Sequence, residues 1–492
     1  MQPFYQTIIG LEIHLQCSTK SKMFCSCKND SEKVQPNTNI CPICLGHPGV
    51  LPVPNKQAIK SAIKIAQVLN CKILNQIKFD RKNYFYPDLP KAYQISQYDQ
   101  PIGEKGFLEI NNKKIRIRRV HLEEDAAKLL HSETDTKSYI DFNRSGTPLI
   151  EIVTEPDLFF SEEAGKLLRE LRLTARYLKI SLADMEKGHL RCDANVNIGL
   201  LAKSDLSKQD IQKSPIIEIK NLNSFKAVEE AIKYEAERLY QDRENWLGKK
   251  LGKTTRGWSA VKRKTYALRS KEEAEDYRYF PEPDIYQIEI QQILAEVKKE
   301  IPELPNERRV RFQAEYDIKK EDVEIFVNNK SLGDYFEQTA SELQEWVGDR
   351  KLLPNLYRLA SNWILSELQK LLKQKDQTIN KCKISPENFA EFIKIVKNKE
   401  VNSNSAQVVL QEMFENASDP SQIIQEKGLK QIDNDDELIK NIEKVIQAHQ
   451  DAVLSFKNGK ENALQFLLGQ VMRETQGKAN PEKVRELLKK RI

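Results

Sequence analysis

Up to about residue 290 the hydrophobic positions alternate in short runs, whereas after Pro305 they recur at helical spacing. In "GLEIHLQ", residues 10–16, Leu11, Ile13 and Leu15 fall on one side of an extended strand and Glu12 and His14 on the other. "KKIRIRRVHLEE" alternates over residues 115–118, "GTPLIEIVTEPD" is a β-branched run closed by Pro156, and "LRCDANVNIGL" alternates over residues 190–198; each predicts a strand. Between them, "SEEAGKLLRELRLTARYL" carries Ala164, Leu167, Leu168, Leu171, Ala175 and Leu178 on one stripe, with Ser161 placed as a cap and two glutamates in the first turn. A second helix is predicted after Ser224, with Phe225, Val228, Ile232, Ala236 and Leu239 in phase. Strands and helices interleave without the steady repeat of a parallel sheet, which predicts an α+β domain over residues 1–294.

Beyond "IPELPNERR" the strand signals vanish. Leu356, Leu359, Ala360, Trp363, Leu368 and Leu371 form a helical face, and "SPENFAEFIKIV" opens on Ser385 as a cap with Pro386 in the first turn. A polar stretch, "QEMFENASDPSQIIQEKGLKQIDNDDE", precedes a last helical piece. The expectation is an all-α domain over residues 295–405 and a small all-α tail over residues 406–492.

Composition narrows the setting. A chain of 492 residues exceeds one core, and 39% hydrophobic with 30% charged residues describes a soluble globular protein. No apolar run nears the ~18 residues that cross a bilayer. The start, "MQPFYQTIIGLEIH", has neither a signal-peptide core nor an Arg-rich leader, so a cytoplasmic protein without membrane contact is expected. The net charge of +6 permits an anionic partner without demanding one.

Cysteine placement changes the picture more. Cys25 and Cys27 form a C-x-C pair, Cys41 and Cys44 a C-x2-C pair, and 13 residues separate them. Two thiolate pairs brought together by a loop meet the tetrahedral demand of zinc, with Cys17 spare and His47 a rival ligand. Four thiolates leave no open position, so this zinc would be structural.

The acids come next. "HLEEDAAKLLH" carries His121, Glu123, Glu124, Asp125 and His131, three successive acids that a solvated face would also explain. Glu151 is harder to place at the surface, because Ile150 and Ile152 flank it inside a run that reads as buried. With Glu12 and His14 these groups supply hard oxygen ligands and an imidazole, a set suited to Mg²⁺ or Mn²⁺ serving nucleotide phosphates. "LGKKLGKTTRG" is not a phosphate loop: only three residues separate Gly248 from Gly252 where four are needed. No Gly-x-Ser-x-Gly elbow occurs, so the chain is not expected to hydrolyse an amide itself. "KFDRKNYFYPDLPKAYQISQYDQPIG" interleaves six aromatic residues with Lys78, Arg81, Lys82 and Lys91, as in surfaces where basic groups meet phosphates and rings accept unstacked bases; "EDYRYFPEPD" repeats the mixture.

Taken in order, "IGLEIHLQ", "NRSGTPLIEIVTEPD", "GHLRCDANVNI", "EIKNLNSFKAVEEAI", "DYRYFPEPDI" and the stretches quoted above resemble the GatB family, the B subunits of glutamyl/aspartyl-tRNA amidotransferases. The likeness runs from near residue 8 into the tail, where "FLLGQVMRETQGKANP" resembles the family's tRNA-binding, YqeY-like module. It implies a cradle-shaped catalytic domain related to glutamine synthetase, a helical domain and a tail. It implies a heterotrimer with an amidase and a small third polypeptide that straps the other two together, acting on Glu-tRNA(Gln) or Asp-tRNA(Asn) with ATP. On this chain it points to His14, Glu124 and Glu151 as Mg²⁺ ligands, surrounded by Glu12, Glu123 and Asp125. It points also to Lys82, Tyr84, Asn143, Arg144, Arg191 and Asp193 as contacts to ATP or the aminoacyl end, without dividing the roles. One departure is "KTTRGW", where Thr254 stands in place of an acid found in many relatives.

Overall fold

The computed structural model describes residues 5–32, 34–131, 136–200, 212–269, 277–347, 350–431, 435–475 and 478–492. The chain forms two compact units, Met1–Leu304 and Pro305–Ile492.

The first unit is built on one sheet of nine strands: β1 (Tyr5–Gln16), β2 (Lys72–Ile73), β3 (Gly103–Ile110), β4 (Lys113–Glu124), β5 (Pro148–Thr154), β6 (Leu190–Leu200), β7 (Ile217–Leu222), β8 (Thr254–Ser259) and β9 (Lys264–Arg269). Their lateral order is β9-β8-β7-β6-β1-β5-β4-β3-β2. Every pair is antiparallel except β7 with β8. The sheet is therefore mixed, and antiparallel in the region that matters most. β1 shows why these residues make a strand: Ile9, Leu11, Ile13 and Leu15 are buried in the core at every second position, leaving Glu12, His14 and Gln16 on the other face. β6 repeats the pattern, with Leu190, Cys192, Ala194, Val196 and Ile198 in the same core.

Helices α1 (Lys56–Val68), α2 (Ser161–Tyr177) and α3 (Phe225–Gln241) supply the apolar partners of that core. α1 begins at Asn55, whose side chain accepts from the N–H groups of Gln57 and Ala58, and α3 at Ser224, which accepts from Ala227 N–H. The helix expected from Ser161 does not use that residue as its cap: Phe160 holds the cap position and Ser161 is the first helical residue. Helix α4 (Gln291–Glu300) belongs to the first unit, because Glu296 and Glu300 pair with Lys60 and Lys64 of α1. The unit boundary thus falls after Leu304 rather than at residue 294.

The second unit is helical. Helix α5 (Pro305–Tyr316) buries Arg308, whose guanidinium lies over the Phe312 ring and reaches Asp334 at 2.7 Å and Glu337 at 3.1 Å. A π-turn over Ile364–Leu368 shifts the phase of the helix begun at Leu353, so Leu372 is buried rather than Leu371. The tail has its own core of Leu438, Ile442, Val445, Leu467, Val471, Val484 and Leu488. No helix among the described residues is long and apolar enough to cross a membrane.

Candidate active site

Four adjacent strands each place one polar side chain in the same lateral row. Arg191 of β6 is opposite His14 of β1, His14 opposite Glu151 of β5, and Glu151 opposite His121 of β4. Paired residues of an antiparallel sheet share a face, so all four emerge away from the core. Glu12, paired with Asp193, stands one step along β1, and Glu123 one step along β4.

The row closes into a cluster. His14 Nε2 lies 3.5 Å from Glu123 Oε1, 3.5 Å from Glu151 Oε2 and 3.9 Å from Glu12 Oε1. His121 Nε2 lies 3.1 Å from Glu151 Oε2 and 3.9 Å from Glu123 Oε2. His121, Glu123 and Glu151 are buried. Burial works against a charged His14, but the hydrogen bond and charge of Glu151, then Glu123 and Glu12, push its pKa up to about 9. Burial likewise opposes ionisation of Glu151, yet His121 and then His14 hold it well below the usual carboxylate range. Burial and the charge of Glu151 raise Glu12, against the pull of His14.

Ligand atoms of Glu12, His14 and Glu151 lie within 4.8 Å of one another, as do those of His121, Glu123 and Glu151. Buried carboxylates beside imidazoles, with a second carboxylate pair in reach, fit a hard divalent cation.

Glu124 is not part of this cluster. On β4 it falls on the side of Val120 and Leu122, its carboxylate taken by Lys91 and by the N–H of Ile95 at 3.0 Å. The period of two in a strand decides this: of "HLEED", His121 and Glu123 face the row and Glu124 cannot. Of the two, it is Glu123 that lies beside His14 and Glu151. His121 has no role in the sequence reading beyond membership of the acidic stretch; its signal is the His-x-Glu spacing on β4, which mirrors Glu-x-His on β1.

Asp125 closes one end of the row, accepting from Arg191 at 2.6 Å and Gln16 at 2.8 Å. Burial opposes its ionisation, but Arg191 and Arg144 lower its pKa. Arg144 donates from Nε to the carbonyl of Ala126 and from Nη2 to that of Ala127. Asn143 is buried and clips two loops: it accepts from Asn39 N–H at 2.8 Å and donates to the Gln35 carbonyl at 2.7 Å. Asp193, two residues along β6 from Arg191 and opposite Glu12, pairs with Lys220 at 3.0 Å. The two aromatic stretches meet as a three-stranded sheet of Asp80–Asn83, Tyr93–Ser96 and Arg278–Pro281, which carries Lys82 toward the cluster. Arg256 of "KTTRGW" faces α3 instead, 3.0 Å from the buried Glu235.

The four sulfurs of Cys25, Cys27, Cys41 and Cys44 also lie within 4.8 Å of one another, spacing that suits a tetrahedral thiolate site. Cys44 is drawn down to about 5, first by the thiol of Cys25 and against burial, then by the N–H of Cys41 and by Lys22, whose ammonium is 3.7 Å away. Cys17 is buried apart from the four, its thiol pushed up to about 12 by burial.

Known proteins match the chain along nearly all of its length. A family model described as the GatB/GatE catalytic domain matches residues 7–296, and one described as the GatB domain matches residues 334–492. The B subunit of the aspartyl/glutamyl-tRNA(Asn/Gln) amidotransferase of Thermotoga petrophila is 45% identical, over 99% of this chain and 98% of its own. Proteins of the same description from Thermosipho melanesiensis and Clostridium acetobutylicum, the latter numbered 2, are 43% and 42% identical, each over 99% of both chains.

Proposed function

Since the chain belongs to the GatB/GatE family, we propose that it is the member of a tRNA-dependent amidotransferase that activates the side-chain carboxylate of Glu-tRNA(Gln) or Asp-tRNA(Asn) with ATP and amidates it. The enzyme is a carbon–nitrogen ligase with glutamine as amide donor. A separate amidase polypeptide releases the ammonia, a small third polypeptide completes a cytoplasmic heterotrimer, and the tail over residues 406–492 binds the tRNA. The proposal includes kinship of the cradle sheet with glutamine synthetase, which runs the same chemistry on a free amino acid.

The observation that carries the reading is the row His14–Glu151–His121 with Glu123 beside it, four ligating side chains gathered on the polar face of one sheet. His14, Glu123 and Glu151 would hold Mg²⁺, which supplies neutralisation of phosphate oxygens during in-line transfer. His121 donates toward Glu151 and orients it. In the first step a carboxylate oxygen of the aminoacyl group attacks the γ-phosphorus, the bond to the bridging oxygen breaks, and ADP leaves with the electron pair. In the second, ammonia attacks the acyl carbon, the carbon–oxygen bond to phosphate breaks, and the departing phosphate takes the surplus proton. Asp125 with Arg191 and Asp193 with Lys220 line the β6 side of the trough, and Lys82 and Tyr84 lie within electrostatic reach of Glu123. The cysteine knuckle would hold zinc and stiffen the wall next to Asn143.

The test uses the assembled heterotrimer with Glu-tRNA(Gln) and γ-labelled ATP. Glu151→Gln is expected to bind the tRNA normally and to form neither labelled acyl phosphate nor labelled inorganic phosphate. Transfer at the native rate would overturn the assignment.

A further inference from the structure

Arg81 and Lys82 are neighbours on one strand and meet different fates. Arg81 is satisfied: it makes two bonds to Glu282 at 2.8 and 2.9 Å and lies over the Tyr93 ring. Lys82 points the other way, as alternation requires, and among the described residues no carboxylate pairs with its ammonium. Two rings hold it instead, Tyr277 with its centroid 4.7 Å from Nζ and Tyr84 at 5.9 Å, themselves packed edge to face at 5.2 Å. Ring faces keep an ammonium in place without neutralising it.

This charge looks onto the row. Burial opposes it, but Glu123 raises the pKa of Lys82, with Tyr279, Glu151 and Tyr277 contributing; its field in turn works against the rise of Glu12. Two other cations of the trough are engaged, Arg191 with Asp125 and Lys220 with Asp193, and Arg119, two residues from His121 on β4, lies on the Tyr279 side without, among the described residues, the ring clamp that holds Lys82. The reaction proposed above brings an anion, the side-chain carboxylate, to a wall already carrying Glu12, Glu123 and Glu151. Like charges at such range repel strongly, so the incoming group needs a cation with a free valence.

Resting on the proposed reaction, we infer that Lys82, clamped by Tyr84 and Tyr277, is the binding site for the side-chain carboxylate of the aminoacyl residue and so distinguishes the acid substrate from its amide product.

The experiment measures binding, not turnover. The assembled heterotrimer is titrated with tRNA(Gln) carrying Glu and with the same tRNA carrying Gln, and separately with a non-hydrolysable ATP analogue. The native protein is expected to prefer the Glu form by ~10- to 100-fold, the worth of one hydrogen bond to a charged group. Lys82→Met should bring the Glu form down to the affinity of the Gln form while the Gln form and the nucleotide bind as before. Lys82→Arg should keep part of the preference, and Tyr277→Leu should lose part of it. Retained affinity for the Gln form shows that the variant is folded; if Lys82→Met does not assemble, the Arg and Leu variants read the same ratio. Equal binding of both forms by the native protein, an unchanged ratio in the variants, or loss of nucleotide binding with the ratio intact would each overturn the assignment. Failure of the phosphorylation reading has a different signature, absence of γ-phosphate transfer with the ratio preserved.

Discussion

At the scale of single residues, neighbouring glutamates on β4 have opposite surroundings, and this is measurable. Glu123→Gln should weaken Mn²⁺ binding, followed by electron paramagnetic resonance, by at least ~10-fold, the scale of losing one ligand or its orienting partner. Glu124→Gln should leave the affinity within about threefold and instead free Lys91. Equal effects would mean that the two side chains do not face apart. His14 offers a second check in metal-free protein. Its pKa rises from 6.5 unfolded to about 9 folded, so it adds stability that is complete below pH 6.5 and lost as the pH climbs through about 9. The melting temperature of the native protein should therefore fall toward that of His14→Asn across this window; parallel curves would show that the proton is not held. Much of this site is legible in the sequence: Glu12, His14 and Glu151 stand out because each sits among aliphatic residues that a strand must bury. What is not legible is the phase of "HLEED", because an irregularity in the pairing near Val153 resets which residues of β4 face the core, and no local pattern shows it. Asn143 escapes for a related reason, since its partners Asn39 and Gln35 are more than a hundred residues away in the chain.

At the scale of elements, the cysteine knuckle and the end of β4 are linked through one glycine. Gly46 has φ +68°, and a Cβ there would collide with Lys91 Cγ, so Gly46→Ala must displace the lysine that holds Glu124. A loss of ~1–3 kcal/mol is expected in chemical unfolding of the first unit, a left-handed backbone and an overpacked contact adding together. Metal analysis makes a companion prediction: one zinc per chain, released on titrating the thiols, and lost in Cys41→Ser. A protein containing no zinc, with all four thiols freely reactive, would refute it. The strands and helices themselves are readable from spacing, and the start of α3 after Ser224 with them. The small aromatic sheet is not, because its third strand, Arg278–Pro281, joins the first two across nearly two hundred residues.

At the scale of the whole molecule, the change of spacing near Pro305 marks the division into two units. Arg308 is the polar centre of the second, and burial opposes ionisation of its partner Asp334, but Lys330 and Arg308 lower that pKa. Arg308→Leu should cost the helical unit ~2 kcal/mol, mostly through the lost stacking on Phe312, since Asp334 and Glu337 stay partly in water. Calorimetry should show one transition lowered and the other unmoved; a common shift would mean that the units unfold together. The Asp334 contribution is present above the usual aspartate range near 3.8 and disappears as the pH falls through the folded value, so the gap between the native helical unit and Arg308→Leu should narrow in acid only by the smaller, electrostatic part. The row across β6, β1, β5 and β4 has one more consequence. Slipping β1 by a single residue would bury Glu12 and His14 among Ile150 and Val196 and turn Ile13 outward, so the same side chains that gather at the trough penalise every misaligned version of the sheet. The polar cluster doubles as a proofreader of strand alignment while the chain folds.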